Sequence, residues 1–289
     1  MRLEKIITLA NERVELYFRA MERSLRATGC DLPLWVIPFD EHRFALPPNA
    51  KWWENDEFFA WLGKFPMWPD SHKYVCLLEA NFQFVDTDVI FLRNPAEVLA
   101  PYAGFVTSCG HWSNPGHCVT PESERILRRR TTRWQAYVFN SGQFACDRAL
   151  FHSMAELRAK LESPELRPIC LDFPYHGQPG YNVLVAESGV PMTNLMLPPS
   201  PMESTWAGDY HGDYASFWQP PERQPYFIHW AGGKPNGLRP IDELFARNLT
   251  PAERALWHSR VAARLPPNLR ERARAVVRAA RRAWRGEIF

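Results

Sequence analysis

The chain has 289 residues, 46% of them apolar, 23% charged and 13% aromatic, with twelve tryptophans and a formal net charge of +2. Bulk disorder is excluded, because chains that never pack a core do not carry that much aromatic surface. No run approaches the roughly 20 apolar residues needed to cross a bilayer, and the opening residues, with Arg2, Glu4 and Lys5, do not form a secretory signal.

The neutral total hides an asymmetry. Residues 250–289 carry ten arginines against Glu253, Glu271 and Glu287, which leaves the body slightly acidic. This argues against general nucleic-acid binding and for a localised anionic partner of the tail. The six cysteines are scattered through a chain large enough to need no disulfide staples, so reduced thiols in a cytoplasm are expected.

Residues 5–10 form an apolar strand candidate leading through Asn11 and Glu12 into a helical pattern, Val14, Tyr17, Phe18, Met21 and Leu25, that stops at Gly29. A second strand over 34–39 follows, so the order strand, helix, strand opens an α/β sheet. The proline-broken, Trp-rich stretch 41–70 is expected to pack over the sheet edge. A short helix over 73–80 precedes a strand at 82–85 that delivers Asp86, Thr87 and Asp88 at its carboxyl end, where open α/β sheets bind ligands. Further strands are predicted at 104–108, 137–139 and 226–228, and a helix over about 149–161. Few regular elements are expected in 164–225. Thr250, Pro251 and Glu253 form a capping box, and Asn268 with Glu271 forms another, which predicts two terminal helices.

Asp86 and Asp88, at the mouth of an apolar strand, offer a hard divalent cation oxygen ligands while leaving positions open for a diphosphate; a third ligand is still needed. The segment from Phe84 to Phe91, continuing as Leu92, Arg93, Asn94 and Pro95, resembles the D-x-D strand of nucleotide-diphospho-sugar glycosyltransferases of the GT-A fold. Three further matches follow in order: Phe139, Asn140, Ser141, Gly142 is similar to the F-N-S-G turn of the retaining glycogenin-like and galactosyltransferase-like families. Gln178, Pro179, Gly180, Tyr181, Asn182 is similar to their D-Q-x-x-x-N segment, with Gly177 in place of the aspartate. His229 through Pro235 resembles their late H-x-x-G…K-P motif. The likeness spans roughly residues 5–240.

The resemblance implies an α/β GT-A fold, a mixed sheet flanked by helices, over residues 1–249, with a basic helical extension at 250–289. It implies Mn²⁺ or Mg²⁺ held by Asp86, Asp88 and His229, acting as a Lewis acid on the leaving diphosphate. Lys234, the backbone of Gly232 and Gly233, and Thr87 would bind phosphate, Asn11 and Glu12 would sit at the base, and Lys73 would reach phosphate or sugar. Asn140 and Gln178 would line the donor sugar, with Asp86 and Asp88 completing the catalytic set. The implied partners are a nucleotide-diphosphate sugar, a UDP-sugar in the main family, and a glycan or glycolipid acceptor. Retention of configuration rests on the same resemblance; an inverting enzyme would need a base, for which Asp172 and Asp213 are the candidates.

Two rival classes also fit a strand-end D-x-D: a haloacid-dehalogenase-type phosphatase or phosphotransferase with an aspartyl nucleophile, and a non-catalytic carbohydrate-binding protein with a degenerate transferase fold. The first usually carries its motif near the N-terminus, followed by a later acidic pair that this chain lacks; the second has no need of three intact ligands.

Cys109, His111, His117 and Cys118 cluster locally, but their spacings are read as fitting neither the C-x₂₋₄-C nor the H-x₃₋₅-H pair of structural zinc sites, so ordinary thiols and imidazoles near the donor pocket are expected. The arginines between Arg125 and Arg133 read as a solvated helix end, and Trp52, Trp53 and Trp112 as core. In 266–289, Leu269, Ala273, Val276, Val277, Ala280 and Trp284 alternate with six arginines, a pattern suited to an anionic membrane surface or to a docked helix with a solvated face. The expected location is cytoplasmic and, on the first of these two readings, peripheral at the inner face of a membrane.

Overall fold

The computed structural model describes residues 1–172 and 177–264. Segment 266–289, with its expected second terminal helix and membrane-facing arginines, lies outside the described residues, as does most of the 250–289 extension.

Nine strands are described: β1 (Lys5–Ala10), β2 (Leu34–Pro38), β3 (Ala50–Trp52), β4 (Phe82–Val85), β5 (Val89–Phe91), β6 (Phe105–Thr107), β7 (Gln143–Cys146), β8 (Met192–Asn194) and β9 (Phe227–His229). Seven form one sheet in the order β3-β2-β1-β4-β7-β6-β8, and β5 pairs with β9 in a separate ribbon. Strands β3, β2, β1 and β4 run parallel, whereas β7 runs against β4 and β6, so the sheet is mixed.

The alternation of a strand decides which side chain meets which layer. In β1, Ile7 and Leu9 enter one core with Phe82, Phe84, Phe105 and Phe144, while Ile6 and Ala10 enter the opposite core with Phe18, Val36 and Val85. Both faces are covered, as a sheet with apolar residues on both sides requires. Helix α1 (Glu15–Ala27) buries Phe18, Met21 and Leu25 on the second face and ends before Gly29, at φ +79°. A third cluster joins Tyr17, Trp230, Phe245 and Trp257. Trp257 belongs to the helix Pro251–Arg264, whose Thr250 and Glu253 cap each other as the sequence predicts. The start of the 250–289 extension thus packs on the same core as helix α1.

Several expectations are corrected. The strand expected at 137–139 is absent; a 3₁₀ turn (Trp134–Tyr137) ends at its first residue, 138–139 carry no regular element, and the strand, β7, begins only after the Asn140–Gly142 turn. The backbone of Phe139 pairs with a side chain instead of a strand: Asn182 accepts from its N–H at 2.8 Å and donates to its carbonyl at 3.0 Å. The helix expected from 149 starts at Met154, where Ser153 caps it. The 73–80 helix is a longer 3₁₀ segment, Pro69–Leu78. The 164–225 region holds a regular helix, Gln178–Ser188, whose first eight residues are all buried, and buried helices lack the polar stripe that periodicity detects. Among the described residues no helix is long and apolar enough to cross a membrane.

Candidate metal centre

The site forms at the carboxyl end of β4, where two pieces of backbone pairing bring distant segments together. Asp86 N–H donates to the Gly142 carbonyl at 2.8 Å, continuing the antiparallel β4–β7 ladder and bringing the Asn140–Gly142 turn beside the aspartates. In the ribbon, Val89 of β5 pairs with His229 of β9, and Trp230 N–H donates to the Asp88 carbonyl at 3.0 Å. An oxygen of each aspartate and an imidazole nitrogen of His229 therefore lie within 4.8 Å of one another.

His229 Nε2 is 3.6 Å from Asp86 Oδ2 and 3.5 Å from Asp88 Oδ1. It is buried and has no hydrogen-bond partner. An orphaned buried nitrogen costs free energy unless something satisfies it. Two carboxylates and one imidazole suit Mg²⁺ or Mn²⁺, and an octahedral ion with bonds of about 2.1 Å would draw adjacent ligands to about 3 Å apart, a small contraction of what is present. The residues therefore fit such an ion.

The charges are mutually dependent. Burial disfavours the charge on Asp88, yet His229 and Lys234 hold its carboxyl well below the usual carboxylate range. Burial likewise opposes the His229 imidazolium, but Asp88 and Asp86 raise it to about 9. Lys234 pairs with the oxygen of Asp88 that faces away from His229. Its own side chain is about half exposed, at 48%, against 2% for Asp88, so the ammonium can swing outward while the carboxylate cannot.

Gly142 closes the site. A Cβ there would lie 2.3 Å from Asp86 Oδ2, 2.6 Å from the His229 ring and 2.8 Å from Asn140 Oδ1, so no other residue fits between these groups. Asn140 Oδ1 accepts from Gly142 N–H at 2.8 Å. Gln178 is buried and spends both ends of its amide on backbone, accepting from Ser141 N–H at 3.1 Å and donating to the His117 carbonyl at 3.2 Å. In this structure Asn140 and Gln178 shape the turn beside the aspartates.

Asn11, at the carboxyl end of β1, accepts from Arg13 N–H and donates to Asp40 at 2.8 Å, beside an exposed Glu12. Lys73 is buried, with its ammonium 5.5 Å from the Phe84 ring. Thr87 is buried between the aspartates, and Gly232 and Gly233 form an exposed turn, Gly232 at φ +74°. Of the candidate bases, Asp172 pairs with Arg167 at 3.2 Å and Asp213 caps Ala215, both exposed. The Arg125–Arg130 arginines pair with Glu122, Glu124, Glu165 and Glu187 at a solvated helix end.

Two contributors have no motif to reveal them. Asp242, fully buried, accepts from Trp230 Nε1 at 2.7 Å and from the N–H groups of Asn236 and Gly237, and pairs with Arg239 at 3.1 Å; it pins both ends of the loop carrying Lys234. Trp206 bridges to His229 through backbone and donates from its indole to the Ala231 carbonyl at 3.0 Å, leaving 40% of its surface exposed at the lip of the site. Trp112, expected in the core, is also exposed.

No protein-family model and no curated protein matches the chain in sequence. Solved structures do resemble it. The apo structure of the bifunctional glycosyltransferase WbbM aligns at TM-score 0.57 and 13% identity, covering 91% of this chain and 52% of WbbM. The galactosyltransferase LgtC, solved with donor and acceptor sugar analogues, aligns at TM-score 0.57 and 15% identity, over 88% of this chain and 99% of LgtC. The apo glycosyltransferase GlyE of Streptococcus pneumoniae TIGR4 aligns at 0.50 and 11% identity, over 90% of this chain and 64% of GlyE. The chain thus spans about half the length of WbbM and less than two thirds of GlyE. The fold is that of the GT-A glycosyltransferases.

Proposed function

We propose that this protein is a metal-dependent glycosyltransferase that moves a sugar from a nucleotide diphosphate, a UDP-sugar by preference, to a glycan or glycolipid, with retention of configuration. The observation that carries the reading is the convergence of Asp86, Asp88 and the unpartnered His229 Nε2 at the rim of the GT-A sheet, with Lys234 alongside. The catalytic unit is residues 1–249, and 250–289 is the basic extension, which would bring the enzyme to an anionic surface carrying a lipid-linked acceptor.

Bound Mn²⁺ or Mg²⁺ would supply Lewis-acid neutralisation of the charge developing on the leaving diphosphate. The chain's own residues do the rest. Asp86, Asp88 and His229 would hold the cation, His229 through a neutral imidazole. Lys234, whose half-exposed ammonium lies beside Asp88, would offer the diphosphate a point charge that stabilises the departing oxygens. The exposed N–H groups of the Gly232–Gly233 turn and Thr87 line the phosphate side, while Asn11, Glu12 and Lys73 bound the nucleotide and sugar. Gln178 and Asn140 fix the turn against which the sugar rests. Asp172 and Asp213 are engaged with Arg167 and Ala215, which favours proton transfer from the acceptor to the leaving phosphate over a protein base. The exposed Trp206 face offers a sugar-stacking plane on the acceptor side.

A panel of nucleotide sugars with Mn²⁺, read by donor hydrolysis and thermal shift, tests the reading. A donor at a hundredfold excess over its dissociation constant stabilises the fold by about 2.7 kcal/mol, and Asp88→Asn abolishes the response. A flat response to every donor refutes the proposal; covalent phosphate trapped on Asp86 or Asp88 would favour a phosphotransferase, and glycan binding without nucleotide or metal a lectin-like protein.

A further inference from the structure

Beside the aspartate centre lies a second cluster of different chemistry. The loop after β6 folds through two short 3₁₀ turns, Gly110–Ser113 and Pro115–His117, and returns Cys118 to Cys109. One donor atom each from Cys109, His111 and Cys118 lies within 4.8 Å of the other two. The His117 ring is 5.0 Å from that of His111, centroid to centroid, and exposed, with its Nε2 at 3.4 Å from Asn114 Nδ2. Five residues separate these histidines, within the range of a zinc-binding H-x₃₋₅-H pair. The folded loop supplies the proximity that the cysteine spacing does not suggest.

Three features set this cluster apart from thiols packed as small apolar groups. Cys109 sulfur accepts N–H bonds from His111 at 3.4 Å and Asn140 at 3.1 Å, the contacts that stabilise a thiolate. Asn194 holds the Cys109 backbone from both sides, accepting from its N–H at 3.2 Å and donating to its carbonyl at 2.7 Å. Both cysteines are nearly fully buried, whereas His111 is only half-buried, so the cluster opens toward solvent on the imidazole side.

The geometry points to a zinc site: Cys109, His111 and Cys118 bind Zn²⁺ through two sulfurs and a nitrogen, with His117 as the fourth ligand. Tetrahedral Zn²⁺ with Zn–S bonds of about 2.3 Å places its two sulfurs about 3.8 Å apart, which the cluster already approaches. Two thiolates and two imidazoles select Zn²⁺ over the hard ions suited to the aspartates. Binding releases the two thiol protons and forms no bond between the sulfurs. The ion is structural: it fastens the loop whose Cys109 takes the Asn140 N–H and whose His117 carbonyl takes the Gln178 amide, and so stiffens the turn beside the aspartates.

The test uses the full chain purified under reducing conditions without chelator. The expected result is one zinc per chain that survives dialysis against EDTA under conditions that strip Mn²⁺. Replacement by Co²⁺ is expected to give the thiolate-to-cobalt absorption and intense visible bands of a tetrahedral site. Those bands persist in Asp88→Asn and disappear in Cys118→Ser. Should Cys118→Ser fail to fold, His111→Gln, at a half-buried position, is expected to shift the visible bands and weaken retention of the metal. The inference is overturned by wild-type chain that takes up Co²⁺ without thiolate absorption, by bands lost in Asp88→Asn, or by a Cys109–Cys118 disulfide in reduced, metal-supplemented protein. None of these readouts uses transferase activity, so failure of the transferase reading would leave a distinct signature.

Discussion

Gly142→Ala isolates the metal centre from the rest of the fold. The added methyl would fall 2.3 Å from Asp86 Oδ2 and 2.6 Å from the His229 ring, about 1 Å inside ordinary contact. The backbone cannot step aside, because the Gly142 carbonyl accepts from Asp86 N–H and its N–H donates to Asn140. Asp86 is half-exposed and can swing into solvent, whereas Asp88 and His229 are buried and cannot. The expected stability cost is therefore modest, about 1 to 2 kcal/mol. Function pays more heavily: losing one carboxylate from the ion, with neighbours displaced by about 1 Å, is expected to cost about a hundredfold in turnover. Melting curves with and without Mn²⁺ and UDP, alongside donor hydrolysis, are the assay, with Gly212→Ala, whose methyl meets nothing within 4 Å, as control. A Gly142→Ala protein with the wild-type Mn²⁺-dependent shift in melting temperature would refute the three-ligand arrangement.

Three further outcomes are expected. Asp242→Ala strands the Trp230 indole, two backbone N–H groups and Arg239, and should cost about 3 to 5 kcal/mol in chemical denaturation, with a loss below about 1 kcal/mol contradicting its role. Arg23 pulls the Glu253 carboxyl down to about 2, so the stability from this pair is fully present above the ordinary carboxylate pKa of 4.5 and is lost as pH falls toward 2. The pair is partly exposed and should contribute about 1 kcal/mol; Glu253→Gln should trail wild type by that amount at pH 7 and converge with it near pH 2, and a gap that widens in acid would reverse the assignment. Trp206→Ala should raise the acceptor KM about tenfold, the loss of a stacking contact, while leaving metal-dependent donor hydrolysis intact; an unchanged KM removes the stacking platform.

What could be read from the sequence follows from how local each feature is. Asp86 and Asp88 lie two residues apart on one strand end, so strand pattern and spacing reveal them without a structure. His229 and Lys234 enter through resemblance, and the β5–β9 pairing supplies the physical reason that they meet Asp88. The residues before Asn140 read as a strand because the run is aromatic and β-branched, whereas the hydrogen bonds of Phe139 go to the Asn182 side chain 43 residues on. Asp242 is invisible because its partners, an indole and loop N–H groups, leave no pattern in the chain. At the cysteine cluster the spacing is misjudged for the histidines, which five residues separate, within the H-x₃₋₅-H range, while the two thiols, nine positions apart, are brought together by the turns of the loop.

The β5–β9 ribbon also sets an order of events during synthesis. Asp88 leaves the ribosome about 140 residues ahead of His229, an interval on the order of ten seconds at typical elongation rates. Through that interval the carboxylates are present without their imidazole, so a nascent chain cannot close its full ligand set on a cation. If the proposed cation binds there, its capture would wait until the ribbon has formed, and holding the ion would mark a chain whose late segment has found its place.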